Sequence, residues 1–554
     1  MKLNKAFLYL LLLAGTSCKK YIDVSNPDSL SDPEFWKNEN NVRTYSWEFY
    51  NMFPGFGDKG SLNGDFYFTT FNDDQCAGSL AQYAATAPPT NGDWSFTWVR
   101  KANIMLERID GVPMNDEAKN HWKGIARFFR ALQYFRLVQN FGDVPWYGHT
   151  IAASDSAQLY KPRDPRKLVM DSVLEDLNFA VNNLRTPAAE KPTTNTVNKD
   201  VALALKARIC LYEGTYRKYH PALGLTAEAN KFLQEAKDAA GVLILNPDYA
   251  LNPIYQTIYN ADKLEGNKEV LLYKRYESTY LGHSTITYLY SSTIISGLNK
   301  NAVESYLCTD GKPISQSPLY QGDANSNNVF ANRDKRLKLS IDTTYLYYKG
   351  HVKNSLSSTT GYRVTKFLPD TNAIKTYPVG AGANLTDAPL FYLSEVYLNY
   401  AEAAAELGSI TQPEIDITIN KLRTRAGVDS LKLTLVNTPA FTDANKDPDV
   451  SSLIWEIRRE RRVELMMDGF RYQDLMRWKK GVKMDTNENP DILLGAKVPV
   501  NPSVKLNPAG YLMVYDAGTT RKFNEDKYYL SPIPTKEILL YPSDMQKAMQ
   551  NPFW

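Results

Sequence analysis

Residues 123–146 read KGIARFFRALQYFRLVQNFGDVPW, and this stretch decides the fold. Trp122, Ile125, Phe129 and Leu132 recur at helical spacing, and Phe128, Ala131, Phe135 and Val138 widen the apolar stripe. The stripe is too broad for a helix that lies on a surface, so this helix is expected to pack on more than one side. Gly142 suits the turn past a helix end, and Pro145 prevents a restart.

Other helices surround it in the sequence. One is expected from Trp94 to about Ile109 and another from Arg166 to Leu184. Residues 200–247 read as a helix pair, the first closing on Gly214, the second running from Ala227 to Leu245 before Asn246-Pro247. Residues 390–427 repeat the plan with LFYLSEVYLNYAEAAAELG, a second helix from Pro413 to Arg425, and Gly427. Small residues at crossing points and a closing Pro are similar to tetratricopeptide units. Three or four such pairs predict a mostly α stack, in which neighbours bury what one pair cannot.

Long insertions separate the pairs, mainly 54–93 and 248–385. They are rich in Tyr, Ser, Thr, Asn and Gly, with short strands expected at Val270–Tyr273 and Tyr362–Phe367. Loops this long in a packed body are usually functional. The chain's 36 Tyr and 9 Trp fit wet binding surfaces as well as helix packing. Gly55-Phe56-Gly57-Asp58-Lys59-Gly60 spells GxGxxG, but an aromatic helical run precedes it instead of a strand, so it reads as a loop.

The 554 residues, 43% hydrophobic and 23% charged, can bury a large core, and a formal charge of +3 argues against a nucleic-acid surface. Lys2 and Lys5 precede an apolar run, Ala6 to Ala14, that is too short to span a bilayer and ends at Gly15-Thr16-Ser17-Cys18. Small residues before a Cys resemble the bacterial lipobox, so residues 1–17 read as a lipoprotein signal peptide and Cys18 as the lipid anchor, with plain secretion and an unmodified Cys18 as the alternative, and 18–28 as a polar tether leading into one body over 29–554. The other cysteines, Cys76, Cys210 and Cys308, are odd in number and form no disulfide framework.

No nucleophile elbow, phosphate loop, HExxH or zinc-spaced Cys pair occurs, so no catalytic residue, metal or cofactor is expected. Asp443 to Asp449 spaces oxygens like a calcium loop but lacks its Gly and closing Glu, and reads as an acidic turn. Asp73-Asp74 is a poor glycosidase pair, because hydrolysis needs carboxylates on opposite sides of a bond. In residues 451–480, read as one charged helix with a break near Gly469, Glu460, Arg461 and Glu464 fall on the apolar face. Such charges serve either a ligand or an Arg–carboxylate network, and the network is the plainer reading.

Several phrases resemble the SusD/RagB family of outer-membrane lipoproteins. These are the quoted helix, Cys18-Lys19-Lys20-Tyr21, Cys308 to Ile314, Asn332 to Leu337, RRERRVEL with its following GFRYQDLMRW, Pro532-Ile533-Pro534, and Gln550 to Trp554. The resemblance implies a right-handed superhelical scaffold of tetratricopeptide-like hairpins. It also implies a lipid-anchored cell-surface protein that captures oligosaccharides, or peptides, for a SusC-like TonB-dependent transporter without cutting a bond. The family's ligand residues vary, so the expected site is positional. One wall is Asp74, Gln82, Tyr83, Asn91 and Trp94; the other is Tyr280, His283, Tyr288 and Tyr290. A surface glycoside hydrolase and a helical-repeat scaffold without a small ligand remain as alternatives.

Overall fold

The computed structural model describes residues 35–190, 195–278, 280–290, 295–343, 358–369, 377–378, 380–438, 441–499 and 504–554. The expected signal peptide, the Cys18 anchor and the tether lie outside these residues.

The principal helices are α1 (Glu39–Trp47), α2 (Thr97–Ile109), α3 (Asp116–Phe141), α4 (Arg166–Asn183), α5 (Lys199–Tyr219) and α6 (Ala229–Ile244). They continue with α7 (Leu393–Glu406), α8 (Gln412–Ile417), α9 (Ile419–Ala426), α10 (Ser452–Glu464) and α11 (Arg471–Arg477). Neighbours pack in sequence from α2 through α7, and α10 packs on α7, which gives the stack of hairpins. The quoted stretch is α3, buried on most of its circumference and clasped by α2 and α4. Its N-terminus is capped by Asn115, which accepts from the Ala118 amide at 2.8 Å. At its end Gly142 has φ +74°, and a Cβ there would lie 2.8 Å from Leu530, so both backbone and packing require glycine.

Among the described residues, three two-stranded antiparallel ribbons pair β1 (Gln75–Ala77) with β3 (Ser296–Leu298), β2 (Val270–Lys274) with β4 (Ala388–Tyr392), and β5 (Leu494–Lys497) with β6 (Tyr511–Met513). One apolar cluster runs from Trp36 to Ile533 and takes in both the hairpins and the ribbons.

Several expected boundaries move. The helix expected from Trp94 starts at Thr97. α5 does not close on Gly214 but runs to Tyr219, because Gly214 lets Leu233 of α6 approach within 2.7 Å of where a Cβ would stand. The start of the 390–427 pair is strand: β4 pairs with β2 in the register Val270↔Tyr392, and α7 begins at Leu393. Its partner is broken at Thr418 into α8 and α9. Residues 362–367 make one bridge, Ile341↔Val364, instead of a strand. The 451–480 helix is two, separated by positive φ at Met467 and Gly469.

The charged face of α10 is a buried network. Arg423 of α9 reaches Glu456 at 2.9 Å and Glu460 at 3.0 Å, while Arg336 joins Asp334, Glu460 and Glu464 within 2.7 Å. Arg425 ties Glu464 to Glu269, Arg461 holds Asp474 at 2.9 Å, and Arg477 joins Asp474 to Glu402. Each charge has a partner of opposite sign, the condition for tolerating it away from water. Glu460, Arg461 and Glu464 are thus structural.

Candidate ligand-binding face

Three loop segments are zipped together beside the hairpin stack. Lys59 donates its amide to the Gly282 carbonyl at 2.7 Å, and the Ser284 hydroxyl donates to the Lys59 carbonyl at 3.2 Å. His283 and Asn384 exchange backbone hydrogen bonds, both 2.9 Å, and the Gly382 amide donates to Ser284 Oγ at 2.8 Å. Asn384 Oδ1 accepts from the Thr287 amide at 3.0 Å. Residues 55–64, 280–290 and 380–386 therefore form one unit, held by main-chain and short polar groups.

Its aromatic side chains differ in exposure. Tyr280 is 80% exposed and Leu62, on the facing loop, 53%. Tyr288 is half-buried; its hydroxyl donates to the Gly60 carbonyl at 3.2 Å and its ring meets Phe68 edge-on at 5.8 Å. Tyr290 is half-buried beside the Arg363 guanidinium, 5.8 Å from the ring centre. His283 is fully buried among Phe56 and Tyr276, with Nε2 3.1 Å from Thr386 Oγ1. Burial pushes its pKa down to about 3, so it is a neutral strut rather than a ligand contact.

The other expected wall stands elsewhere. Asp74 is buried, and its carboxylate pairs with Arg462 at 2.6 Å; Asp73 pairs with Arg471 at 2.7 Å. Burial would raise the pKa of Asp73, but Arg471 and Arg462 outweigh it and hold the carboxyl well below the usual range. Both carboxylates of this pair are held by scaffold arginines. Tyr83 lies in a C-terminal aromatic cluster, stacked on Tyr528 at 4.5 Å and edge-on to Phe71 and Phe523. Gln82 is exposed and donates to the Thr520 carbonyl at 2.9 Å. Asn91 closes a turn by accepting from the Asp93 amide, and Trp94 packs edge-on against Phe141 at 5.0 Å. Tyr280, Tyr288 and Tyr290 thus share the zipped unit, where Tyr288 meets Phe68, whereas Gln82 and Tyr83 face the C-terminal segment, Trp94 faces the end of α3 and Asn91 closes its own turn. Phe68 was missed because nothing in sequence separates it from neighbouring packed aromatics.

Two cavities lie deeper. One of about 220 Å3 sits between α3, α5 and α11 and is lined by Phe53, Asp65, Arg136, Gln139, Tyr212 and Phe470 among others. Another of about 500 Å3 opens beside α10 and is lined by Trp455, Trp478, Arg458, Asn445 and Asn489 with several ion-paired side chains. The acidic turn at 443–449 edges this cavity, with the Asp443 carboxylate taken by Arg459 and Trp455, and Asp447 by Lys483 at 2.7 Å.

Comparison with known proteins fits this geometry to a family. Residues 268–554, more than half of the chain, match the family model described as "SusD family". The chain is a member of the SusD family. Residues 21–211 match a second model, described as "Starch-binding associating with outer membrane". A SusD-like relative, protein P38 of Formosa agariphila, is 25% identical over 509 residues, 86% of this chain and 92% of the relative. Among solved structures, a SusD-like carbohydrate binding protein from Bacteroides fragilis superposes with TM-score 0.68 at 22% identity, covering 92% of this chain and 99% of that one. A laminarin binding SusD-like protein superposes with TM-score 0.53 at 20% identity, covering 94% and 100%. The mostly helical SusD-like fold is thereby established. Among the described residues, no helix of this SusD family member is long and apolar enough to cross a membrane.

Proposed function

We propose that this chain is a cell-surface lipoprotein, anchored to the outer membrane through Cys18, that captures oligosaccharides and passes them to a SusC-like TonB-dependent transporter. The observation that carries the reading is membership of a family whose matched relatives include carbohydrate- and laminarin-binding proteins. The zipped unit with Tyr280, Tyr288, Tyr290 and Phe68 supports it, because aromatic faces with polar edges suit stacked sugar rings. No bond is cut in this reading: binding needs a fixed aromatic face and no acid–base pair.

A glycan array probed with the full chain in detergent tests it. Binding to at least one oligosaccharide class, without release of reducing ends, is the expected result. Capture of peptides with no glycan signal would replace the ligand class; release of reducing ends would make the protein a hydrolase; neither, with other proteins recovered instead of a barrel, would leave only a scaffold.

A further inference from the structure

Arg458 is 3% exposed, yet its Nε and Nη1 have no hydrogen-bond partner. Its guanidinium lies 4.7 Å from the ring centre of Tyr219 and 4.5 Å from that of Trp478, and its ion pair with Glu406 spans 3.3 Å. Both nitrogens are closed off from solvent against the two rings, so the cation is answered by ring faces and Glu406. Arg458 lines the cavity of about 500 Å3 beside α10, within the ordinary range for small-molecule sites and far beyond one water molecule.

Charge bookkeeping selects the class of ligand. Four other cations line this cavity, and each is already paired: Arg459 with Glu456 at 3.0 Å, Arg462 with Asp74 at 2.6 Å, Arg471 with Asp73 and Lys483 with Asp447, both at 2.7 Å. An anion would meet the lining carboxylates of Asp73, Glu304, Asp447 and Glu488, so it gains little. A neutral polyol gains from both signs, since each hydroxyl donates and accepts. Asn445 and Asn489 add amide groups, and the half-buried Trp455 supplies an apolar wall. We infer that this cavity is a second saccharide site, sized for a neutral sugar ring and separate from the Tyr280 face, with Asn445 and Asn489 meeting ring hydroxyls beside Trp455. The inference rests on the glycan reading above for its ligand class.

Intrinsic fluorescence of the full chain in detergent tests it, with the Trp455 contribution taken as wild type minus Trp455→Phe. The probes are glucose, galactose, mannose and xylose, with glucuronate and sulfate as charged controls. At least one neutral sugar should quench Trp455 at millimolar concentration. Asn445→Ala and Asn489→Ala should each weaken that quench about tenfold, the size of one lost polar contact, and Tyr280→Ala should leave it unchanged. Asn445 is exposed, so its variant keeps the test valid should Asn489→Ala, which also loses a bond to the Lys483 carbonyl, lower the melting temperature. No neutral quench, a quench indifferent to Asn445→Ala, or a response to glucuronate or sulfate alone would each overturn the assignment. Polymer binding on the array with no Trp455 response would sink this site alone and leave the proposed function standing.

Discussion

Tyr280 and Tyr83 differ in what holds them, and alanine should separate the two. Tyr280 stands in solvent, so Tyr280→Ala should weaken oligosaccharide binding about tenfold, the worth of one stacking contact, and leave the melting curve unmoved. Calorimetric titration and thermal melting check both halves. Tyr83 is wedged between Tyr528, Phe71 and Phe523, so Tyr83→Ala should cost about 3 kcal/mol of stability by denaturant titration, with binding little changed. Buried Glu402 governs a separate prediction. Burial would raise its pKa, but Arg477 at 2.6 Å, with Arg461 and Arg458, outweighs burial and holds it at about 2. The folded value lies below the unfolded one, so the stabilisation is present above about pH 4.5 and is lost as pH falls through about 2. That window corresponds to about 3 kcal/mol. Glu402→Gln should flatten the acid limb of the stability–pH curve; an unchanged limb would remove Glu402 from acid unfolding.

Among elements, α5 and α6 meet through Gly214. Alanine normally improves a helix interior by about 1 kcal/mol over glycine. Here its Cβ would press on Leu233 at 2.7 Å, so Gly214→Ala should instead destabilise by about 1–3 kcal/mol, read by thermal or chemical unfolding. The same contact explains why Gly214 reads as a helix end in sequence: glycine for turning and glycine for close packing look alike in one chain. The quoted helix was legible because its signals are local, an apolar stripe and a Gly–Pro stop. β4 was not, because Ala388–Tyr392 is strand only by pairing with Val270–Lys274, more than a hundred positions earlier. The break between α10 and α11 was half-legible: Gly469 flagged it, but Met467 adopts positive φ as well, beside Asp468, which is ion-paired with Lys366.

At the scale of the whole molecule, the proposed anchor is a single thiol. Cys18→Ala should move the protein from the outer-membrane fraction to the soluble fraction while glycan binding by the body persists; fractionation and the array check the two parts. Scaffold and site were unequally readable. Periodicity gave the hairpins, and the position of Arg and Glu on one face of α10 gave the network. The structure puts residues 280–290 on the zipped unit and Tyr83 and Trp94 away from it. Asp74 and His283 looked like ligand groups because polar side chains in loops suggest function, yet both are spent on internal partners. Only the fold reveals which loops touch, and so which aromatics share a surface. In the zipped unit, cohesion comes from main-chain amides, the Ser284 hydroxyl and the His283–Asn384 ladder, not from Tyr280. The outward residue is therefore a replaceable fitting on a fixed frame: descendants of this gene could trade it for another diet without relearning how to fold.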